Sequence, residues 1–217
     1  MTASSLVKVD LDGKVVCQGS SPFSVNRAGW TIHSAIHGAR PDIKCVIHLH
    51  TPATVAVSSM KCGLLKLCQE ALTVGEVSYH DYHGIVLDPK EKELLIQNLG
   101  PTNKIVMLRN HGVAVCGETV EEAFHFTFNL LAACEQQVKA MQVGLDNLHI
   151  PKADGPVTQN HLLAMQGSGG SDNQGTKWGR GQLEFEALMR TLDNMGYRTG
   201  YDYKILPVVK KNGTSVA

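Results

Sequence analysis

Apolar and polar positions alternate over residues 7–11 and again over 14–17, on either side of Asp12-Gly13. A period of two marks a half-buried strand and Asp-Gly is a strong two-residue turn signal, so the pattern predicts a β-hairpin. The period then changes. Ala28, Ile32, Ala35, Ile36 and Ala39 recur at helical spacing, and Pro41 closes that helix because the residue before a proline avoids the α region. The apolar run Cys45-Val46-Ile47-His48-Leu49-His50 predicts a strand that carries both histidines at its end. Thr51-Pro52 then reads as the cap and first residue of a helix, with Ala53, Ala56, Val57 and Met60 on one face and Gly63 at its end.

Residues 74–79 and 85–87 are predicted as short strands, and Asp88-Pro89-Lys90-Glu91 opens a helix that ends at Gly100. Two more strands follow at 105–108 and 113–116. Thr119 and Glu122 form a capping box for a long helix with the stripe Ala123, Phe124, Thr127, Leu131, Cys134, Val138 and Met141, stopped near Gly144. Strands alternate with helices, yet the hairpins argue against a purely parallel sheet. The expected fold is therefore an α/β, three-layer α/β/α sandwich with a mixed, mainly antiparallel central sheet. Residues 1–145 form this domain, 146–176 a Gly/Ser-rich flexible linker, and 177–217 a segment with one amphipathic helix through Leu183, Phe185, Leu188, Met189, Leu192 and Met195.

Charge adds little to the picture: 20 basic and 20 acidic residues cancel in 217, so no overall field draws the chain to nucleic acid or anionic lipid. Six scattered cysteines without CxxC pairing suit a reduced, intracellular protein. With no signal peptide and no apolar run of about 18 residues, a soluble chain without membrane insertion is expected.

Candidate chemistry centres on His48 and His50, which point to one face of a strand roughly 7 Å apart. His111, after the next apolar runs, would complete three imidazoles with an open fourth position, the donor set of catalytic zinc. The same pattern suits core histidines that bond one another without metal. His33 and His37, at i and i+4, suit a helix face better than a chelate, since no zincin-type glutamate accompanies them. Tyr79, His80, Tyr82 and His83 read as a surface or interface loop, Glu76 as a weak candidate acid, and Cys45, Cys116 and Cys134 as small core hydrophobes. Lys210-Lys211 is too short a basic patch to hold lipid, which takes about 4–8 charges.

A longer succession of words carries a resemblance: His33-Ser34-Ala35-Ile36-His37, Arg40-Pro41-Asp42, the run from Cys45 to Pro52, Met60-Lys61-Cys62-Gly63, Tyr79-His80-Asp81-Tyr82-His83-Gly84, and Arg109-Asn110-His111-Gly112. Together with Glu121-Glu122-Ala123-Phe124 and, past the linker, Phe185-Glu186-Ala187-Leu188-Met189-Arg190, it resembles the head and neck of adducins in the class II aldolase/adducin family. The likeness covers nearly all of the chain outside the linker and termini. It implies an aldolase fold that self-associates into homo- or hetero-oligomers, with actin filaments and spectrin as partners at the cytoplasmic face of the plasma membrane. It also implies His48, His50 and His111 as the metal ligands, with Zn2+ as the cofactor they would hold. In the aldolases a Ser-Glu-Trp-like word nineteen residues before the first zinc histidine supplies the catalytic glutamate, and the matching word here is Ala28-Gly29-Trp30. Glycine moves no proton, and the Gly-Asn-x-Ser and Thr-Gly turns that hold substrate phosphate have no counterpart. The resemblance therefore points to a non-enzymatic, N-terminally shortened head with no catalytic residues and no required cofactor; the alternative is a zinc-dependent lyase acting on a small sugar phosphate.

Overall fold

The computed structural model describes residues 2–83, 89–152 and 177–205, with 154, 155, 158, 208, 209, 215 and 216. Strands β1 (Lys8–Val9) and β2 (Val15–Cys17) pair as the expected antiparallel hairpin. Helix α1 (Arg27–Ala39) follows, begun by the Asn26 side chain, which accepts from the N–H groups of Ala28 and Gly29 at 3.1 and 3.3 Å. Next come β3 (Cys45–Leu49), α2 (Pro52–Ser59), α3 (Gln69–Thr73), β4 (Ser78–His80), α4 (Pro89–Leu99), β5 (Ile105–Leu108), β6 (Gly112–Gly117) and α5 (Val120–Ala140). Helix α6 (Gln182–Asn194) and a short antiparallel pair, β7 (Val208–Val209) and β8 (Ser215–Val216), complete the described elements.

The central sheet runs β3-β6-β5-β4, antiparallel at β3/β6 and β6/β5 and parallel at β5/β4. Every residue of β5 and β6 is buried, as central strands covered on both faces must be. Alternate residues part to opposite sides. Ile105, Met107, Val113 and Val115 pack under α2, α3 and α5 through Val57, Ala71, Leu130 and Cys134, while Val106, Leu108, Ala114 and Cys116 pack under α1 and α4 through Ile32, Ile36, Leu95 and Leu99. The α/β/α layering is thus as expected.

Local expectations fared unevenly. Of residues 74–79 only Ser78 and Tyr79 are in a strand; Val74 instead caps the short α3, whose Ala71 and Leu72 face the core. The α5 stripe is partly rotated: Ala123, Thr127 and Cys134 are buried as expected, but Phe126, Leu130, Ala133 and Gln137 are buried beside them, while Phe124, Leu131, Val138 and Met141 are only half-buried. Polar residues on the true inner face hid it from a count of apolar positions. Glu122 there accepts from the Glu118 N–H at 2.7 Å, and the Gln137 amide accepts from Leu65 N–H at 2.7 Å and donates to the Gly63 carbonyl at 2.7 Å. Cys116 and Cys134 are buried as expected, whereas Cys45 is half-buried on an edge strand.

Residues 177–205 fold back onto the domain rather than standing apart. Phe185 of α6 meets Phe124 of α5 edge-on at 5.5 Å, Tyr201 donates to Glu121 at 3.3 Å, and the buried Glu186 accepts from the N–H groups of Lys204 and Ile205. The predicted strand at 85–87, most of the linker, and Lys210-Lys211 lie outside the described residues.

Candidate metal centre

His48 sits on β3 opposite Ala114 of β6, and His50 follows one residue beyond the strand end. The third imidazole arrives through a tight turn. Leu108 pairs with Gly112, so Arg109, Asn110 and His111 alone reverse the chain, with Asn110 in the left-handed region at φ 57°. Asparagine tolerates that conformation better than most residues. Gly112 is needed for a different reason: a Cβ there would lie 2.5 Å from the Leu49 carbonyl oxygen and 2.7 Å from His50 Cδ2. Its spacing was legible as part of a motif, but its role as the gap that admits His50 was not.

One ligand nitrogen from each of His48, His50 and His111 can be chosen so that all lie within 4.8 Å of one another, the one such group of three among the described residues. The His48 Nδ1 lies 3.0 Å from the Val113 carbonyl, which can only accept, so Nδ1 carries the proton and Nε2 is left with its lone pair. That nitrogen faces His50 Nε2 at 2.8 Å. Burial lowers the pKa of His48, and burial followed by the charges of His50 and His48 lowers that of His111 to about 4. Both are therefore neutral near pH 7, the form that binds metal.

This donor set fits a zinc-like ion. A carbonyl-anchored histidine is the usual outer support for a metal ligand. Zn–N bonds of about 2.0–2.1 Å in a tetrahedron separate nitrogens by roughly 3.3 Å, so the His48–His50 pair needs to open by only about half an ångström. The Tyr82 ring stacks on His111 at 3.9 Å and 22°, closing one flank.

Other candidates fall elsewhere. His37 bonds the Ile43 carbonyl through Nδ1 at 3.2 Å, and His33 stacks between Trp30 and His37, so both serve the packing of α1. Glu76 is exposed beside a cleft with Lys104 and Arg180. Tyr79 and His80, expected in a surface or interface loop, instead end β4 with His80 buried, and His80 and His83 converge on Glu91, a grouping the sequence did not announce because its carboxylate comes from α4. Gly29 lies in the first turn of α1, where an added Cβ would meet nothing closer than Asn26 Cγ at 3.9 Å. Packing leaves room for a side chain there.

Known proteins are similar to this chain in sequence and in fold. Residues 1–138 match the family model described as the class II aldolase and adducin N-terminal domain. Rat alpha-adducin is 54% identical over 213 residues, 94% of this chain and 28% of its own length; human gamma-adducin is 51% identical over 207 residues, 94% and 29% respectively. The chain thus spans less than a third of these relatives. Among solved structures, an aldolase II superfamily protein from Pseudomonas syringae is 38% identical with a TM-score of 0.78, covering 90% of this chain and 74% of that one. L-fuculose 1-phosphate aldolase from Glaciozyma antarctica PI12 is 25% identical with a TM-score of 0.69, covering 90% and 70%. No helix among the described residues is long and apolar enough to cross a membrane. The chain belongs to the class II aldolase and adducin N-terminal domain family, with a head domain of the adducin type.

Proposed function

We propose that this chain is a non-enzymatic adducin-like head: an aldolase fold that self-associates and supports attachment of actin filaments and spectrin at the cytoplasmic face of the plasma membrane. The observation that carries the reading is Gly29. By resemblance it occupies the place of the aldolase glutamate, and its backbone has room for a side chain that the sequence does not supply. Loss of a positioned acid or base removes about 10² to 10⁴ in rate. His48, His50 and His111 then form a ligand set without its proton-transfer partner, and Zn2+ held there would keep a Lewis acid in place without turnover.

A second reading, a zinc-dependent lyase for a small sugar phosphate, draws support from the same three histidines and from the likeness to the fuculose phosphate aldolase. Co-sedimentation with actin filaments, run beside elemental analysis and a ketose-phosphate cleavage assay, separates the two. The adaptor reading expects the chain in the filament pellet and no cleavage; cleavage by the unaltered chain, or its absence from the pellet, overturns it. Under the lyase reading Gly29→Glu raises turnover, and under the adaptor reading it leaves pelleting unchanged.

A further inference from the structure

Arg109 stands two residues before His111 and belongs to no ligand set, yet it touches three separate parts of the fold. Its N–H donates to the His80 carbonyl at 2.8 Å. Its guanidinium donates through Nη1 to the carbonyls of Met60 at 2.7 Å and Ser58 at 3.3 Å, groups that the end of α2 leaves without helical partners. The guanidinium carbon also lies 4.2 Å from the centre of the Tyr79 ring. The Tyr79 hydroxyl in turn accepts from the Leu64 N–H at 2.8 Å, so the segment leaving α2 is held by the same pair.

The other end of α2 begins at Pro52, two residues past His50. A helix is stiff, rising about 1.5 Å per residue, so α2 acts as a rod of about 12 Å between the His50 end and the Arg109 end. His50 and His111 are therefore joined by a closed circuit: Thr51, the rod, the Ser58 and Met60 carbonyls, Arg109, and the turn through Asn110. We propose that Arg109 is the positioning residue of the three-histidine centre, fixing the His50–His111 separation by fastening the His111 turn to the far end of α2. The inference rests on His48, His50 and His111 being an ion site. Lysine is a poor substitute for this role, because its compact ammonium has no delocalised group to lie over the Tyr79 ring.

Arg109→Met and Arg109→Lys test the proposal, with Arg40→Met as a comparison elsewhere in the fold, where the Arg40 guanidinium donates to Asp42 at 2.7 and 2.8 Å and to the carbonyls of Gly100 and Asn103 at 2.9 and 3.2 Å. Zinc affinity, measured by competition with a chromophoric chelator, should fall about 10- to 100-fold in both Arg109 variants, as it does when outer supports of metal ligands are lost. It should stay within about twofold in folded Arg40→Met, and the visible absorption of the cobalt-loaded protein should shift only at Arg109. A purely structural arginine would lower the melting temperature and leave zinc affinity and the cobalt spectrum unchanged; that result overturns the proposal. If Arg109→Met fails to fold, Arg109→Lys carries the test alone. In metal-free protein, ring-nitrogen NMR signals of His50 and His111 should move in the Arg109 variants. Movement there with no zinc or cobalt uptake by the unaltered chain would sink the ion-site reading and keep the positioning role, while unmoved rings would sink the positioning role itself.

Discussion

Two histidine clusters lie on either side of Tyr82, and they settle their nitrogens in opposite ways. Around Glu91 every group has a counterpart: the Asn98 amide donates to His80 Nδ1 at 2.9 Å, so His80 Nε2 bears the proton and donates to Glu91 Oε1 at 3.0 Å. His83 Nδ1 adds contacts to the same carboxylate at 3.2 and 3.3 Å. Burial opposes ionisation of Glu91, but the bonds from His83 and His80 outweigh it and hold its pKa below the ordinary value. His48, His50 and His111 contain no carboxylate, and two imidazole nitrogens meet at 2.8 Å. A cluster anchored on a carboxylate is a fastening; in the other, His50 Nε2 can donate to the His48 Nε2 lone pair, and a cation can take the place of that proton.

The sharpest way to break this contrast is to remove one histidine from each cluster. His111→Ala should take bound zinc from about one per chain to none, an affinity loss of at least about 10³, while His80→Ala keeps the metal. Elemental analysis after gel filtration reads both. Equal zinc loss in the two variants would mean that the clusters are not different in kind.

Stability should respond the other way round. In chelator-treated protein, His80→Ala leaves the mostly buried Glu91 without its inner donor and should cost about 2 kcal/mol in urea unfolding, since a hydrogen bond to a charged group typically contributes about 1.5–3 kcal/mol. His48→Ala removes the hydrogen bond to Val113 and the one with His50, both between neutral groups and the second at an exposed residue, and should cost about 1 kcal/mol. A larger loss at His48 would make it a fastening as well.

These expectations mark what the sequence discloses. The grouping of His48, His50 and His111 was legible because side chains from one strand end and a neighbouring turn leave a local signature, two residues apart and next to glycine. The partner that makes His80 structural lies eleven residues away on α4, and nothing local announces it. Helix α1 was legible through its apolar spacing and the closing Pro41, though not its Asn26 cap, and α2 through the Thr51 cap and Pro52, since side-chain oxygens and proline act within one turn. Helix α3 was missed because five residues offer too few positions to show a period, and its apolar run from Ala71 to Val74 reads equally as strand. The rotated face of α5 was missed because Glu122 and Gln137 are buried by tertiary bonds that composition cannot price. Strand order was out of reach: β3 pairs with β6, far along the chain, and only packing decides that.

Protons offer a gentler separation. His111, at about 4, and His48, also lowered, stay neutral in the folded chain while unfolded histidines charge near 6.5. The unfolded state therefore binds more protons between these values, so metal-free stability is full above about pH 6.5 and declines as pH falls towards about 4. Glu91, lowered from 4.5, contributes stability above its unfolded value and loses it as pH falls through its folded one. Urea midpoints against pH should flatten between 6.5 and 4 in His111→Asn and only below about 4.5 in Glu91→Gln. The reverse pattern would exchange the roles of the two clusters.

Tyr82 decides whether the clusters are independent, because its ring lies on His111 while its chain neighbours His80, two residues before, and His83, next after, hold Glu91. An aromatic contact of this kind contributes about 0.5–1.5 kcal/mol, so Tyr82→Leu should weaken zinc binding about 2- to 10-fold. Glu91→Gln loosens the loop without touching a ligand, and its effect on zinc should be smaller still. The informative quantity is the double-variant cycle on zinc affinity. If Tyr82 passes the position of the Glu91 fastening on to His111, Glu91→Gln matters only while Tyr82 is present, with a coupling of about 0.5 kcal/mol or more, as contacting residues show. Additive effects would leave the closed cluster holding its loop and the open one holding its ion, with no mechanical connection between them.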